Sequence, residues 1–328
     1  MGLIPKKKVL VCGATGFIGR NVAEFFASNH DYEVFGTYCD SRPFSHPGIK
    51  LLKADLIKKE DVEKVLEGKD VVIQAAATTS GIKEVFSKPY YHVTDNAVMN
   101  SLIFRQAVQG KVSQVIFFSC TVMYPSSDSP LKETDFDANR EMLPKYFGPG
   151  WTKVYLEKMC EFFSKIGETR FMAIRHSNIY GPHDKFDLEK SHVFGATMTK
   201  VMSAKNGSEI EVWGTGEEER DLLYISDLVD FVDIVMRKQT SKFELVNVGL
   251  GKSICVKDLV RKIIGCSGRN IEMKFDASKP TIKTKLCLDI THAMEKFGWT
   301  PKITLDEGIK KTMQWYETNF KVKNGVLC

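Results

Sequence analysis

Glycines at three-residue spacing follow an apolar run near the start of the chain. Gly13, Gly16 and Gly19 come directly after residues 9–12 and open an apolar helical pattern over residues 18–27. Glycine permits a tight turn and lets a pyrophosphate approach the backbone, where the first N–H groups of a helix can bind its oxygens. The spacing therefore predicts a dinucleotide-binding turn between a strand and a helix.

A cysteine and a lysine form a second candidate site. Cys120 and Thr121 follow an apolar run that starts at residue 115, and Lys153 lies on a helical pattern farther along the chain. A nearby ammonium group lowers the pKa of a thiol, so Lys153 can prepare Cys120 for proton transfer. The other interpretation of Cys120 is a buried thiol at the end of a strand, with no part in chemistry.

A third group of residues suits an anionic substrate. Arg220 follows a glycine-containing turn at residues 213–216, and its planar guanidinium can bind two phosphate oxygens at once. The acidic run at residues 217–219 is expected to be a solvated face of the same loop.

Strand-like and helix-like segments alternate in the part of the chain that must position these groups. Strands are predicted over residues 8–12, 32–37, 71–75, 115–119 and 171–174, and helices over residues 18–27 and around 155–163. In the second helix the apolar positions expected to face the sheet are Tyr155, Met159, Phe162 and Phe163.

That alternation is typical of right-handed β-α-β crossovers in a parallel sheet. We expect an α/β protein with a Rossmann-type doubly wound parallel sheet and a smaller, interleaved C-terminal substrate lobe. The sheet domain would take residues 1–177 with about 221–250, and the lobe residues 178–220 and 251–328.

The composition argues against several classes of protein. The chain has 328 residues, 43% hydrophobic and 27% charged, which is ordinary globular usage and enough for about two domains or one large α/β unit. Its net charge of +5 is scattered, so no basic stripe favours nucleic acid, and its apolar runs fall short of the ~20 residues that cross a bilayer. The 8 cysteines show no C-x-x-C pair and no zinc spacing. We expect free thiols, no metal, no nucleic-acid or membrane partner, and a cytoplasmic location.

The motifs together resemble the extended short-chain dehydrogenase/reductase family, to which the glycine turn G-x-x-G-x-x-G is similar. Asp55 and Leu56 follow the third strand, and a run of alanines ends the fourth, as in that family. The resemblance implies an NAD(P)-binding domain with these cofactor contacts: Gly13, Thr15, Gly16, Phe17, Ile18, Gly19, Asp55, Leu56, Ala75, Ala76, Ala77 and Lys153.

The residues after the second strand bear on the choice of cofactor. Tyr38 stands where NAD-selective members carry an acid for the ribose 2′-hydroxyl, and Arg42 is close enough in sequence to pair with a 2′-phosphate. We expect NADP(H) as cofactor on this ground. The alternative is that Asp40 serves as the acid and that the cofactor is NAD(H).

The catalytic positions depart from the family pattern. The family places a tyrosine four residues before a lysine; Lys153 fits that lysine, but Pro149 stands in place of the tyrosine, and Cys120 takes the family's Ser/Thr position. Tyr155 would lie about 200° around a regular helix from Lys153, so it faces elsewhere. Tyr146, just ahead of a glycine and proline segment, is the better substitute. Its alternative is a surface aromatic with no chemical role.

Residues 177–186 and 191–193 resemble the GDP-L-fucose synthase branch of this family. In that branch the histidine of the second segment is an acid in epimerisation, which implies this role for His192, whereas the position of the branch's catalytic cysteine holds Val122. Either Cys120 has taken over the base role from the same face of the strand, or double epimerisation is lost. The resemblance implies these substrate contacts: Thr121, Asn178, His192, Lys200, Trp213, Arg220 and Lys285.

The resemblance implies an enzyme that acts on a nucleotide-linked 4-keto sugar, with a GDP-linked one favoured, by epimerisation, NADPH-dependent reduction or both. Its catalytic residues would be Cys120, Lys153 and His192. The alternative is a non-catalytic or regulatory member that binds NADP(H) and a nucleotide sugar, because reduction of a ketone needs a proton donor and the tyrosine is missing. We expect a homodimer.

Overall fold

A computed structural model of the chain describes residues 5–78, 89–188, 191–279 and 281–320. Its strands are β1 (Lys7–Cys12), β2 (Tyr32–Tyr38), β3 (Ile49–Lys53), β4 (Val71–Gln74), β5 (Gln114–Phe118), β6 (Arg170–His176), β7 (Asn178–Tyr180), β8 (Ser208–Trp213), β9 (Glu219–Tyr224), β10 (Phe243–Val248), β11 (Ser253–Cys255), β12 (Ile271–Asp276) and β13 (Lys285–Leu286). Its helices are α1 (Phe17–Ala27), α2 (Lys59–Leu66), α3 (Pro89–Gln109), α4 (Phe147–Ile166), α5 (Val193–Ser203), α6 (Ile225–Lys238), α7 (Val256–Ser267), α8 (Thr291–Phe297) and α9 (Leu305–Asn319).

Parallel strands form the seven-stranded main sheet, in the order β10-β6-β5-β4-β1-β2-β3. Every residue of β4 and β5 is buried, as expected where helices cover both faces of a sheet. The expected Rossmann-type sheet is confirmed, and the predicted strands begin and end within two residues of the observed ones. Between β1 and β4 the strand order reverses, which is where such sheets bind their ligands.

Two apolar cores hold the helices on the sheet. One joins α1 and α6 to one face, and the other joins α3 and α4 to the opposite face. In α4 the expected orientation is wrong for Tyr155 and Phe162, which are 55% and 56% exposed, while Leu156 and Cys160 are fully buried. Apolar residues lie on more than one face of this helix, and their spacing alone does not identify the face that packs against the sheet.

Smaller sheets form the second part of the fold. One contains β11, β9 and β13 with β7 beside β9, and β8 pairs with β12 in the other. The division of the chain into residues 1–177 with 221–250 and the remainder stays a prediction, and β9 lies across its boundary at residue 221.

The described cysteines are free thiols, of which Cys12, Cys160 and Cys287 are buried. Within the same ranges no three His, Cys, Asp or Glu side chains are grouped to hold a metal ion. No helix among the residues described here has both the length and the apolarity to cross a membrane.

Candidate functional site

The glycine turn lies at the carboxyl end of β1, beside the reversal of strand order. Gly13 has φ +74°, and a Cβ there would meet the Cα of Ala76 at 2.7 Å. A Cβ at Gly19 would lie 2.2 Å from the Gly13 carbonyl oxygen, so both positions require glycine. Gly16 precedes α1, and no side chain caps the first N–H groups of this helix. This cradle fits a dinucleotide pyrophosphate, because it combines free N–H donors with room for the phosphates.

The segment after β2 returns to the glycine turn. The Ser41 hydroxyl lies 2.6 Å from the Thr15 hydroxyl, and the exposed Arg42 follows it directly. Arg20, which the sequence analysis missed although it follows the last glycine of the turn, has its guanidinium 4.3 Å from the centre of the Phe44 ring. Arg20 and Arg42 therefore place two cations on the segments next to the turn.

Asp55 and Leu56 lie in the turn after β3. The Asp55 N–H donates to Asp61 Oδ2 at 2.8 Å, and its Oδ1 accepts from the Ile57 N–H at 3.3 Å. The Leu56 side chain is buried. This turn holds the Asp55 carboxylate beyond the end of β3, on the same edge of the sheet as the glycine turn.

Cys120 and Lys153 are brought together at the carboxyl end of β5. Lys153 Nζ donates to the Phe118 carbonyl oxygen at 2.8 Å and lies 4.6 Å from the centre of the Phe117 ring. Burial raises the pKa of Cys120 above its usual value, and the charge of Lys153 opposes this without reversing it. The charge of Lys153 thus acts on the thiol in the expected direction, but burial outweighs it, and the net upward shift of the pKa favours the protonated thiol. Burial likewise lowers the pKa of Lys153.

Tyr146 ends a short 3-10 helix immediately before α4. Burial raises the pKa of its phenol, Arg220 lowers it and Cys120 raises it, so the phenol lies within electrostatic reach of both groups. Tyr155 is exposed, so it does not line the site. Pro149 occupies the third position of α4.

Buried charges brace the ends of β5 and β6 from the α4 side. Arg175 and Glu157, whose side chains are 3% and 4% exposed, form an ion pair of 2.6 Å. Glu157 also accepts a hydrogen bond from the Ser119 hydroxyl, and Arg175 donates to the Tyr124 hydroxyl at 2.9 Å. This network fixes the strand ends that carry the candidate catalytic groups.

Two histidines lie at the same end of the molecule. His192 precedes α5 and keeps contact with solvent. Surrounding protein and Lys185 lower its pKa. His176, which the sequence analysis did not select, ends β6, and its pKa responds to the charges of Lys153 and His192. The cluster thus contains one histidine more than expected.

Arg220 and Lys285, which were expected to contact the substrate, also contact other protein groups. Arg220 Nη1 donates to the Thr284 carbonyl oxygen at 2.6 Å, and Nη2 donates to that of Ile282 at 2.8 Å. Part of the guanidinium therefore holds the chain segment before β13, besides facing Tyr146. Lys285 pairs with Asp128 at 2.7 Å and lines a cleft of about 390 Å³ between the two parts of the fold.

An exposed tryptophan stands between two lysines at the end of β8. The Trp213 side chain is 40% exposed, and the ammonium groups of Lys200 and Lys279 lie 5.7 and 5.9 Å from its ring. Lys200 also donates to the Glu211 carbonyl oxygen at 2.7 Å. Lys279 was not expected from the sequence, because it is more than sixty residues from Trp213 along the chain.

The expected solvated face at residues 217–219 is wrong for Glu218. Its side chain is 6% exposed, and neither carboxylate oxygen has a hydrogen-bond partner among the described residues. Glu217 is exposed and pairs with Lys257 at 2.6 Å. The turn into β9 buries the middle residue of the three, which composition does not reveal. Asn178 lies on β7, which pairs with β9. Its side-chain amide donates to the Asp221 carbonyl oxygen at 3.3 Å.

Comparison of the sequence with protein families and curated proteins gives consistent matches. A model of the NAD dependent epimerase/dehydratase family matches residues 9–249. GDP-L-colitose synthase of Yersinia pseudotuberculosis is 30% identical over 318 residues, which cover 94% of this chain and 97% of that protein. GDP-L-fucose synthase of Azorhizobium caulinodans is also 30% identical, with coverages of 96% and 98%.

Solved structures share the fold. UDP-glucose 4-epimerase of Thermotoga maritima matches with a TM-score of 0.83 at 23% identity, covering 95% of this chain and 99% of that one. UDP-N-acetylglucosamine 4-epimerase of Methanobrevibacter ruminantium matches with a TM-score of 0.82 at 22% identity, with coverages of 96% and 99%.

Proposed function

Because the chain belongs to the NAD dependent epimerase/dehydratase family, we propose that it acts on a GDP-linked 4-keto sugar by epimerisation and NADPH-dependent reduction. It is a nucleotide-sugar epimerase/reductase of the extended short-chain dehydrogenase/reductase type. The choice of GDP rests on the relatives that match over nearly the whole chain, which are named for GDP-L-colitose and GDP-L-fucose.

The observation that carries the proposal is the group of proton-transfer side chains at the carboxyl edge of the main sheet. Cys120 and Lys153 lie within electrostatic reach of each other, and the charges of Lys153 and His192 both lower the pKa of His176. Epimerisation beside a ketone needs one group that removes an α-proton and another that returns a proton to the opposite face. In this proposal Cys120 and His192 perform those two tasks.

The remaining contacts hold the two ligands. NADPH, when bound, supplies the hydride. The turn from Gly13 to Gly19 binds its pyrophosphate, and Arg42 pairs with its 2′-phosphate. Trp213 and Arg220 contact the nucleotide and diphosphate of the sugar, since an aromatic face and a guanidinium suit those two groups.

Turnover of a keto sugar tests the proposal. The purified protein is incubated in deuterium oxide with NADPH and GDP-4-keto-6-deoxymannose, and NADPH absorbance and product mass are followed. We expect NADPH loss and deuterium at the carbons flanking the ketone. GDP-mannose, which has no ketone, is the control and should give neither. NADPH binding without consumption or exchange with any 4-keto sugar would favour the non-catalytic alternative.

A further inference from the structure

Reduction of a ketone adds a proton to oxygen as well as a hydride to carbon, and the proton needs a donor. The family's tyrosine position is Pro149, whose ring has no proton to give. Another side chain must therefore supply it if the enzyme is a reductase.

His176 emerges beside Cys120 from the neighbouring strand. Phe118 of β5 is opposite Ile174 of β6, and the Ser119 N–H donates to the Ile174 carbonyl oxygen at 2.8 Å. Cys120 and His176 each lie two residues beyond that pair. The His176 imidazole packs edge-on against the Phe118 ring, with centroids 6.1 Å apart.

One hydrogen bond fixes the tautomer of His176. Its Nδ1 lies 2.8 Å from the Ser177 carbonyl oxygen, which can only accept, so Nδ1 carries the hydrogen. Nε2 has no hydrogen-bond partner among the described residues, and it is not fully buried. Nε2 is therefore open to an oxygen atom of a ligand.

The surroundings of the ring determine how readily it gives up a proton. Burial, opposed by the hydrogen bond to Ser177 and assisted by the charges of Lys153 and His192, lowers the pKa of His176 from 6.5 to about 4. A proton on Nε2 is therefore given up readily to a developing alkoxide. The diphosphates of a bound cofactor and substrate add negative charge, which favours the protonated ring when the ligands are present.

We propose that His176 takes the place of the missing tyrosine and exchanges the proton with the sugar oxygen. In the reduction the Nε2–H bond breaks and an O–H bond forms while the carbonyl carbon accepts the nicotinamide hydride. The imidazole is left neutral and regains a proton from solvent. This role rests on the proposed function.

Nuclear magnetic resonance tests the ring without turnover. Long-range proton–nitrogen spectra of the ligand-free protein should show His176 as the Nδ1–H tautomer, neutral down to about pH 5, with the signal assigned by its loss in His176→Asn. Adding NADPH and GDP together should raise its pKa. An Nε2–H tautomer, or a pKa that does not rise with the ligands, overturns the proposal.

Kinetics supply the second test. Asparagine can keep the hydrogen bond to the Ser177 carbonyl but carries no transferable proton, so His176→Asn should lower kcat for NADPH consumption by at least ~100-fold. KM and NADPH affinity should stay within threefold. His30→Asn, the same change at an exposed site, should retain the wild-type rate. Tyr146→Phe tests the competing assignment of the proton donor to Tyr146.

The outcomes separate the two claims. If the wild type and His176→Asn are equally active, the role of His176 is overturned and the proposed function stands. The same conclusion follows if Tyr146→Phe loses activity while His176→Asn does not. An inactive wild type removes the proposed function and the role of His176 with it.

Discussion

At the scale of single residues, burial outweighs charge in the candidate site. Lys153 and Cys120 lie together, but burial leaves the thiol protonated and lowers the pKa of the ammonium. The residue types at these positions were visible in the sequence, whereas the balance of burial and charge was not. Pro149 was also visible, and it leaves the proton-donor role to residues that no spacing rule identifies.

Cys120 and His192 can be tested by isotope exchange. We predict that Cys120→Ser and His192→Asn each slow deuterium incorporation into a GDP-4-keto-6-deoxy sugar by at least ~100-fold, because one acid or base contributes at least that much. Mass spectrometry of the recovered sugar measures the rate. The exposed Cys39 provides the matched control Cys39→Ser, which should exchange normally. Wild-type exchange in both site variants would show that the base lies elsewhere.

Arg42 determines the cofactor preference in the proposed function. We predict that NADPH binds at least about tenfold more tightly than NADH, a difference of about 1.4 kcal/mol, and that Arg42→Ala removes this preference. Fluorescence titration with both cofactors measures it. Arg261→Ala, at an exposed arginine of α7, is the control. Equal affinities in the wild type would instead support Asp40 as a contact to the ribose of NAD(H).

At the scale of elements, α4 serves the site through residues one helical turn apart. Lys153 reaches the end of β5, and Glu157 reaches Arg175 on β6. Apolar runs predicted these strands well, because strands buried on both faces are nearly continuous in hydrophobic residues. The burial of Glu157 was not predicted, since a buried carboxylate depends on a partner eighteen residues away.

Breaking the Glu157–Arg175 pair should destabilise the fold. We predict that Glu157→Gln lowers the free energy of unfolding by about 3 to 5 kcal/mol, because it leaves the buried guanidinium without its counter-charge. Urea denaturation measures this change. Glu161 lies one turn along α4 and pairs at the surface with Lys158 and Lys165, so Glu161→Gln should cost less than ~1 kcal/mol. An equal decrease in the free energy of unfolding in the two variants would contradict a larger contribution from the buried pair.

At the scale of the whole molecule, Asp221 ties the two parts of the fold together. It lies on β9, and its carboxylate accepts N–H hydrogen bonds from Leu250 and Gly251, which follow β10 of the main sheet, and from Leu288. The main sheet was predictable from local periodicity, because each β-α-β unit is local. The interleaved strands β7, β9, β11 and β13 are short and pair across long stretches of chain, so periodicity does not define their sheets, and the bounds of the second lobe stay a prediction.

The ionisation of Asp221 should make stability depend on pH. Burial raises the pKa of Asp221 from 3.8 to about 6. Between about pH 4 and pH 6 the folded protein keeps a proton that the unfolded chain has released, so this group makes the free energy of unfolding fall as the pH rises. The total change is on the order of 2 to 3 kcal/mol, and it is complete above the folded-state pKa. Asp221→Asn does not titrate at this position, so its urea denaturation curves from pH 4 to pH 7 should lack this fall. Asp258→Asn, at a partly exposed aspartate on α7, should keep it. Wild type and Asp221→Asn changing in parallel across this range would show that Asp221 is already ionised at pH 4 in the folded protein.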